Sequence, residues 1–160
     1  MRVGILTISD RSSRGERKDQ SGPALAQFLS SHETEVVCTA VCSDNKSDIS
    51  AILRTWADEK GVDLILTTGG TGLSPRDVTP EATLSVISRT IPGMAEAMRA
   101  ASMDKTPHAM LSRAVAGVRG KTLIINLPGS PRGALENLET IMPALEHAVK
   151  KIQGDMSDCA

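Results

Sequence analysis

A chain of 160 residues, 40% hydrophobic and 23% charged, reads as one folded domain and excludes a disordered tail. Eighteen Lys and Arg against nineteen Asp and Glu leave a formal charge of -1, so no basic field recruits nucleic acid. Phe28 and Trp56 are the only aromatic rings, too few for base stacking on single strands.

The apolar runs are short, β-branched and separated by helical patterns, the mark of a mostly parallel sheet with crossover helices. In chain order the strands are Val3 to Ser9, Glu35 to Cys42, Val62 to Thr68 and Thr122 to Asn126. Ile49, Ile52, Leu53, Trp56 and Ala57 follow the i, i+3, i+4, i+7, i+8 stripe of an amphipathic helix, stopped at Gly61. Thr79 is expected as an N-cap with Pro80 at the first helical position. Pro92 to Ser102 reads as a Met- and Ala-lined helix, packed in the core or against another subunit. Arg113 to Val118, Arg119-Gly120 and Lys121 to Asn126 read as a hairpin, giving one antiparallel edge strand. From Ser130-Pro131 a helical spacing runs to Ile152, and Pro143 is expected to split or kink it. The fold class is therefore α/β: a three-layer open sheet with helices on both faces. Residues 1–154 form the domain and 155–160 a frayed tail.

No run approaches the ~18 apolar residues a membrane span needs, and no signal-peptide pattern opens the chain. Cys38, Cys42 and Cys159 form neither a C-x-x-C pair nor an even set, and Cys38 and Cys42 read as buried thiols on one strand face. A cytoplasmic setting is expected. His32, His108 and His147 lack metal spacing, and no G-x-S-x-G elbow supports a serine nucleophile.

Open parallel sheets bind ligands beyond the carboxyl ends of their strands. Ser9-Asp10, Ser43-Asp44, the loop Gly69-Gly70-Thr71-Gly72 running to Asp77, and Leu127-Pro128-Gly129-Ser130 follow the four strands and would converge on one rim. Backbone N–H groups of the glycine loop and the helix start at Pro80 suit a phosphate; a simple tight turn is the other reading. It is not a Walker A loop, because Val115 stands where Gly120-Lys121-Thr122 needs an earlier glycine. Nor is it a dinucleotide fingerprint, because Pro75 takes the third glycine position. Asp44 and Asp77 beside phosphates are the usual minimum for Mg²⁺, against an N-cap role for Asp44 and a turn-closing role for Asp77. Arg76 and Arg113 pair with phosphates or fold onto local carbonyls.

The unbroken run from Thr67 to Thr83, TTGGTGLSPRDVTPEAT, resembles the molybdopterin-binding family, in its adenylyltransferase branch. Ile8-Ser9-Asp10, Asp19-x-Ser21-Gly22-Pro23, Met110 to Arg113 and Gly120 to Ser130 are similar to further segments of that family, so the likeness covers about residues 3 to 154. The resemblance implies Mg²⁺-dependent transfer of AMP from ATP to the terminal phosphate of molybdopterin, with release of pyrophosphate. It implies Asp44 and Asp77 as catalytic and metal-binding residues, and Gly69, Gly70, Thr71 and Gly72 as the phosphate loop. Ser102, Ser112 and Asn126 would line the pterin-phosphate pocket, Pro128 and Gly129 its floor, and Ser9 and Asp10 the nucleotide end, with Arg113 as a phosphate partner. A homotrimer and a downstream metal-insertion enzyme are also implied. A non-catalytic molybdopterin carrier of the same fold is the alternative, since fold alone does not fix function. Ser43 departs from the proline that relatives place before Asp44 and loosens that turn.

Overall fold

A computed structural model describes residues 1–156. Strands β1 (Arg2–Ile8), β2 (Glu35–Cys42), β3 (Leu64–Thr68), β4 (Arg89–Thr90), β5 (Ala116–Arg119) and β6 (Thr122–Leu127) form one sheet in the order β2-β1-β3-β6-β5-β4. β1, β2, β3 and β6 are mutually parallel, and β5 runs antiparallel to both its neighbours. The expected antiparallel margin is present, but the edge itself is the two-residue β4, too short to carry a periodic signal.

Alternation along the strands sends side chains to two separate cores. Val3, Ile5, Leu64, Leu66, Leu123 and Ile125 pack on one face against α2 (Ser21–Leu29), α5 (Pro92–Met103) and α6 (Pro131–Ile152). Leu6, Ile8, Ile65 and Ile124 pack on the other against α3 (Lys46–Asp58) and α4 (Thr79–Leu84). The central strands are buried on both sides, which is why they read as continuous apolar runs. Met94, Ala95 and Met98 place one face of α5 in the core.

Several local expectations are corrected. α1 (Asp10–Ser13), α2 and a 3-10 turn at Pro107–Leu111 are not among the expected elements; α2 opens on Ser21-Gly22-Pro23. Asp19 makes it a helix start, accepting from Ser21 N–H at 3.0 Å, Gly22 N–H at 3.2 Å and the Thr7 hydroxyl at 2.8 Å. Val78, not Thr79, precedes the first turn of α4, and the Thr79 hydroxyl is spent on Gly69 O. Pro143 does not split α6, which is continuous; the proline lies on the exposed face, where water can take over from the missing N–H. Cys42 is buried and Cys38 half-buried, whereas Cys159 and most of the expected tail lie outside the described residues. Among the described residues no helix is long and apolar enough to cross a membrane.

Trp56 is 5% exposed and lies over Gly4, where an added Cβ would stand 2.7 Å from the ring. Gly4→Ala is therefore expected to cost about 1–3 kcal/mol by overpacking, read as a lower urea midpoint with unchanged slope. An unchanged midpoint would show that the indole has room to move.

Candidate functional site

β1 lies between β2 and β3, so the chain order reverses beside it, and the carboxyl ends of these strands open on a crevice. β3 leaves the sheet there through Gly69, at φ 103°, where a Cβ would collide with the Ile8 carbonyl oxygen. Gly69 N–H donates to Leu127 O at 3.2 Å, Thr79 Oγ1 donates to Gly69 O at 2.8 Å and Thr79 N–H to Gly70 O at 3.1 Å. Gly70 follows at φ 65°, and its missing Cβ makes room for the Thr79 hydroxyl. With their carbonyls pinned inward, the N–H groups of Gly70, Thr71 and Gly72 take no partner among the described residues. Successive free donors of this kind form an anion-binding concavity.

Two carboxylates flank it. Asp44 follows β2, but α3 is capped by Asn45, whose Oδ1 accepts from Ser47 and Asp48 N–H, so the N-cap reading of Asp44 is set aside. Asp44 Oδ1 lies 3.3 Å from where a Gly70 Cβ would stand, and Asp77 Oδ2 lies 2.9 Å from the corresponding point at Gly72. Asp77 Oδ2 also accepts from Ser74 N–H at 2.8 Å, so Asp77 does close its turn. Burial pushes the Asp44 carboxyl above its ordinary range, opposed by the Asp10 N–H and reinforced by the negative charges of Asp10 and Asp77. Asp10 is held below the usual carboxylate range, first by the Asp44 N–H and then by Arg76. The turn at Ser43-Asp44 is held by a reciprocal pair: Asp10 N–H donates to Asp44 Oδ2 at 2.7 Å and Asp44 N–H to Asp10 Oδ1 at 3.0 Å. Among the described residues no three His, Cys, Asp or Glu side chains converge on a metal position, so a cation here would have Asp44, Asp77 and water as ligands, with phosphate oxygens added only when a phosphate is bound.

Beyond Gly72 the crevice deepens into a cavity of about 280 Å³. Of the expected site residues, Thr71, Gly72, Ser102, Ser112 and Pro128 line it, together with Arg99, Lys105, Glu136 and Asn137, which are not among the expected ones. Arg99 lies three residues before Ser102 on α5, a helical spacing that could have flagged it. Asn137 donates to Ser102 Oγ at 3.0 Å, and Arg99 donates to the carbonyls of Ser112 and Ala114 at 3.2 and 3.0 Å. Ser9 and Gly129 line a separate small hollow with Thr68, Arg17 and Lys18.

Four assignments change. Asn126 is fully buried: its amide donates to Thr67 Oγ1 and Thr83 Oγ1 at 3.0 and 2.8 Å, and its Oδ1 accepts from Val115 N–H at 3.3 Å. It supports the loop from beneath and does not line the pocket. Arg113 donates to Gly72 O at 2.7 Å, to Asp77 O at 2.6 Å and to the Glu81 carboxylate, so three of its five N–H donors clamp the loop. Ser9 caps α1 by accepting from Ser12 N–H, and Asp10 binds Arg76. Both sit at the rim, yet their polar groups face the protein.

The family profile described as "Probable molybdopterin binding domain" matches residues 4–147. The chain is 42% identical over 155 residues to a molybdopterin adenylyltransferase of Helicobacter pylori, covering 96% of this chain and 88% of the relative. It is 44% identical over 157 residues to Dictyostelium discoideum gephyrin, spanning 92% of this chain and only 22% of that protein. A crystal structure of the molybdopterin biosynthesis enzyme MoaB of Thermus thermophilus superimposes with a TM-score of 0.91 at 53% identity, covering 96% of this chain and 97% of the other. With the profile spanning nearly the whole fold and the glycine loop at its centre, this chain belongs to the molybdopterin-binding domain family of molybdenum cofactor biosynthesis.

Proposed function

We propose that the chain transfers AMP from ATP to the terminal phosphate of molybdopterin, giving adenylyl-molybdopterin and pyrophosphate. The observation that carries this is the row of unpartnered N–H groups at Gly70 to Gly72 set between the Asp44 and Asp77 carboxylates, at the mouth of a cavity sized for a small heterocycle. The adenylyltransferase of Helicobacter pylori, similar over most of both chains, supports the same reaction.

Asp44 and Asp77 fit Mg²⁺, a hard cation that keeps water and phosphate oxygens as ligands; burial first, and then the charges of Asp10 and Asp77, raise the Asp44 carboxyl, and such an ion would favour its ionised form. Bound there, the ion would neutralise charge on the phosphates. The remaining work falls to the protein. The loop N–H groups hold phosphate oxygens, Thr71 and Ser102 face the cavity, and Arg99 lends positive charge to a wall where Lys105 is paired with Glu136. A phosphate oxygen of molybdopterin attacks the α-phosphorus of ATP; the new P–O bond forms as the bond to the bridging oxygen breaks, and pyrophosphate leaves with that electron pair. The nucleophile is already an anion, so alignment of two phosphates replaces a strong general base. In this scheme the chain works as a homotrimer in the reducing cytoplasm and hands its product to a metal-insertion enzyme. Burial pushes the Cys42 thiol up to about 12, consistent with an inert thiol there.

Incubation of the purified protein with molybdopterin and MgATP is expected to yield adenylyl-molybdopterin and pyrophosphate in equal amounts. Asp77→Asn should lower the rate by about 10²-fold or more. Tight pterin binding with no product from the wild type would overturn catalysis in favour of a carrier. Light scattering at three chains per particle tests the trimer.

Asp44→Asn separates stability from turnover. The folded state holds the Asp44 proton more tightly than the unfolded chain, so ionised Asp44 costs stability as pH rises through its raised value, and the cost is fully present at neutral pH. The asparagine keeps an acceptor for the Asp10 N–H. Asp44→Asn is therefore expected to melt no lower than the wild type at pH 7 while turnover falls about 10²-fold. A clearly lower melting temperature at pH 7 would show that the charge stabilises the fold.

A further inference from the structure

We propose that Asp10 and Arg76 form a strap that sets the spacing of Asp44 and Asp77, making both of them positioning residues; this rests on the two-carboxylate cation site above. The strap is continuous in hydrogen bonds. Asp10 and Asp44 exchange backbone-to-carboxylate bonds in both directions, at 2.7 and 3.0 Å, which fixes the rotation of the Asp44 carboxylate and leaves its Oδ1 beside Gly70. Arg76 reaches across from the next loop with Nε to Asp10 Oδ2 at 3.0 Å and Nη2 to both Asp10 oxygens at 3.0 and 2.8 Å. Arg76 immediately precedes Asp77, so anchoring its side chain anchors the peptide that carries the second carboxylate.

The loop hangs between two guanidinium groups. Arg113 grips it through Gly72 O and Asp77 O, and Arg76 ties it to the Asp10–Asp44 pair. Between them the tip is open, with Leu73 64% exposed, so the Arg76 bond is what relates this tip to β2. The charges agree with this division of labour. Asp10 is paired with Arg76 at 2.8 Å, which leaves Asp44 and Asp77 as the two carboxylates available to a divalent cation.

Arg76→Ala discriminates sharply, because two effects predict opposite signs. Removing a positive charge beside a cation site should strengthen cation binding by simple Coulomb attraction, whereas cutting a strap that spaces the ligands should weaken it. The Arg76 side chain is 63% exposed, so the variant is expected to fold. Titration with Mn²⁺ alone, read by electron paramagnetic resonance, excludes any contribution from a nucleotide phosphate. The expected result is roughly threefold to tenfold weaker binding in Arg76→Ala, partial recovery in Arg76→Lys, and an Asp10→Asn/Arg76→Ala double variant no weaker than the weaker single variant. Unchanged or tighter Mn²⁺ binding in Arg76→Ala, or single-variant effects that multiply in the double variant, would overturn the strap while leaving the metal site standing. Failure of the wild type to bind Mn²⁺ would overturn the metal site and the strap with it.

Discussion

The crossing of Gly69 over the Ile8 carbonyl is the constraint from which the site follows. β3 must leave the sheet between β1 and β6, and the space above β1 admits no side chain. Once the backbone turns there at positive φ, the carbonyls of Gly69 and Gly70 face Thr79 at the start of α4. The N–H groups that follow then face the crevice. A row of unpartnered N–H donors suited to an anion thus arises from a packing requirement, without one basic side chain dedicated to it. The near-neutral charge of the chain is consistent with that economy.

Arginines serve a different purpose from the obvious one. A guanidinium near a phosphate loop invites the assignment of phosphate ligand, but Arg113 spends its donors on Gly72 O, Asp77 O and Glu81, and Arg76 spends its own on Asp10. A planar fork of fixed donors suits bridging several carbonyls and carboxylates at once, which a flexible ammonium does poorly. A loop of glycine, serine and proline has little packing of its own, and these two side chains supply the rigidity it lacks. Along the cavity wall the same holds: Arg99 donates to the Ser112 and Ala114 carbonyls, and Lys105 pairs with Glu136 at 3.1 Å.

What the sequence makes legible follows from how local each signal is. The central strands are readable because both their faces are buried, and the rim is readable because every parallel strand ends in a polar or glycine-rich turn. Asp44, Asp77 and the glycine loop can be placed by that logic alone. Asn126 cannot: as a polar residue ending a buried strand it has the same local pattern whether it points into a ligand pocket or down onto Thr67 and Thr83, and only the position of α4 decides. The fate of the arginines is equally non-local, since the partners of Arg113 lie 32 to 41 residues away and that of Arg76 lies 66 residues away. α2 is hidden for the opposite reason: its start depends on Asp19, whose capping role a Ser-Gly-Pro sequence disguises.

The scarcity of rings bears on how a flat heterocycle would be held. Trp56 is buried over Gly4, and Phe28 packs against His32 with centroids 4.7 Å apart, so neither ring lines the cavity. With Asn126 also turned away, edge recognition passes to groups that do face the space: Ser102, Ser112, Asn137, Glu136 and the loop backbone. Hydrogen-bonding groups of this kind discriminate by leaving a buried partner unpaired when the wrong ligand enters, whereas stacking tolerates almost any flat ring. A protein that anchors its ligand by phosphate and reads its ring by the edge accepts weaker gross contact in exchange for selectivity. The apolar floor at Pro128 and the wall at Ala109 and Leu111 then have only to exclude water.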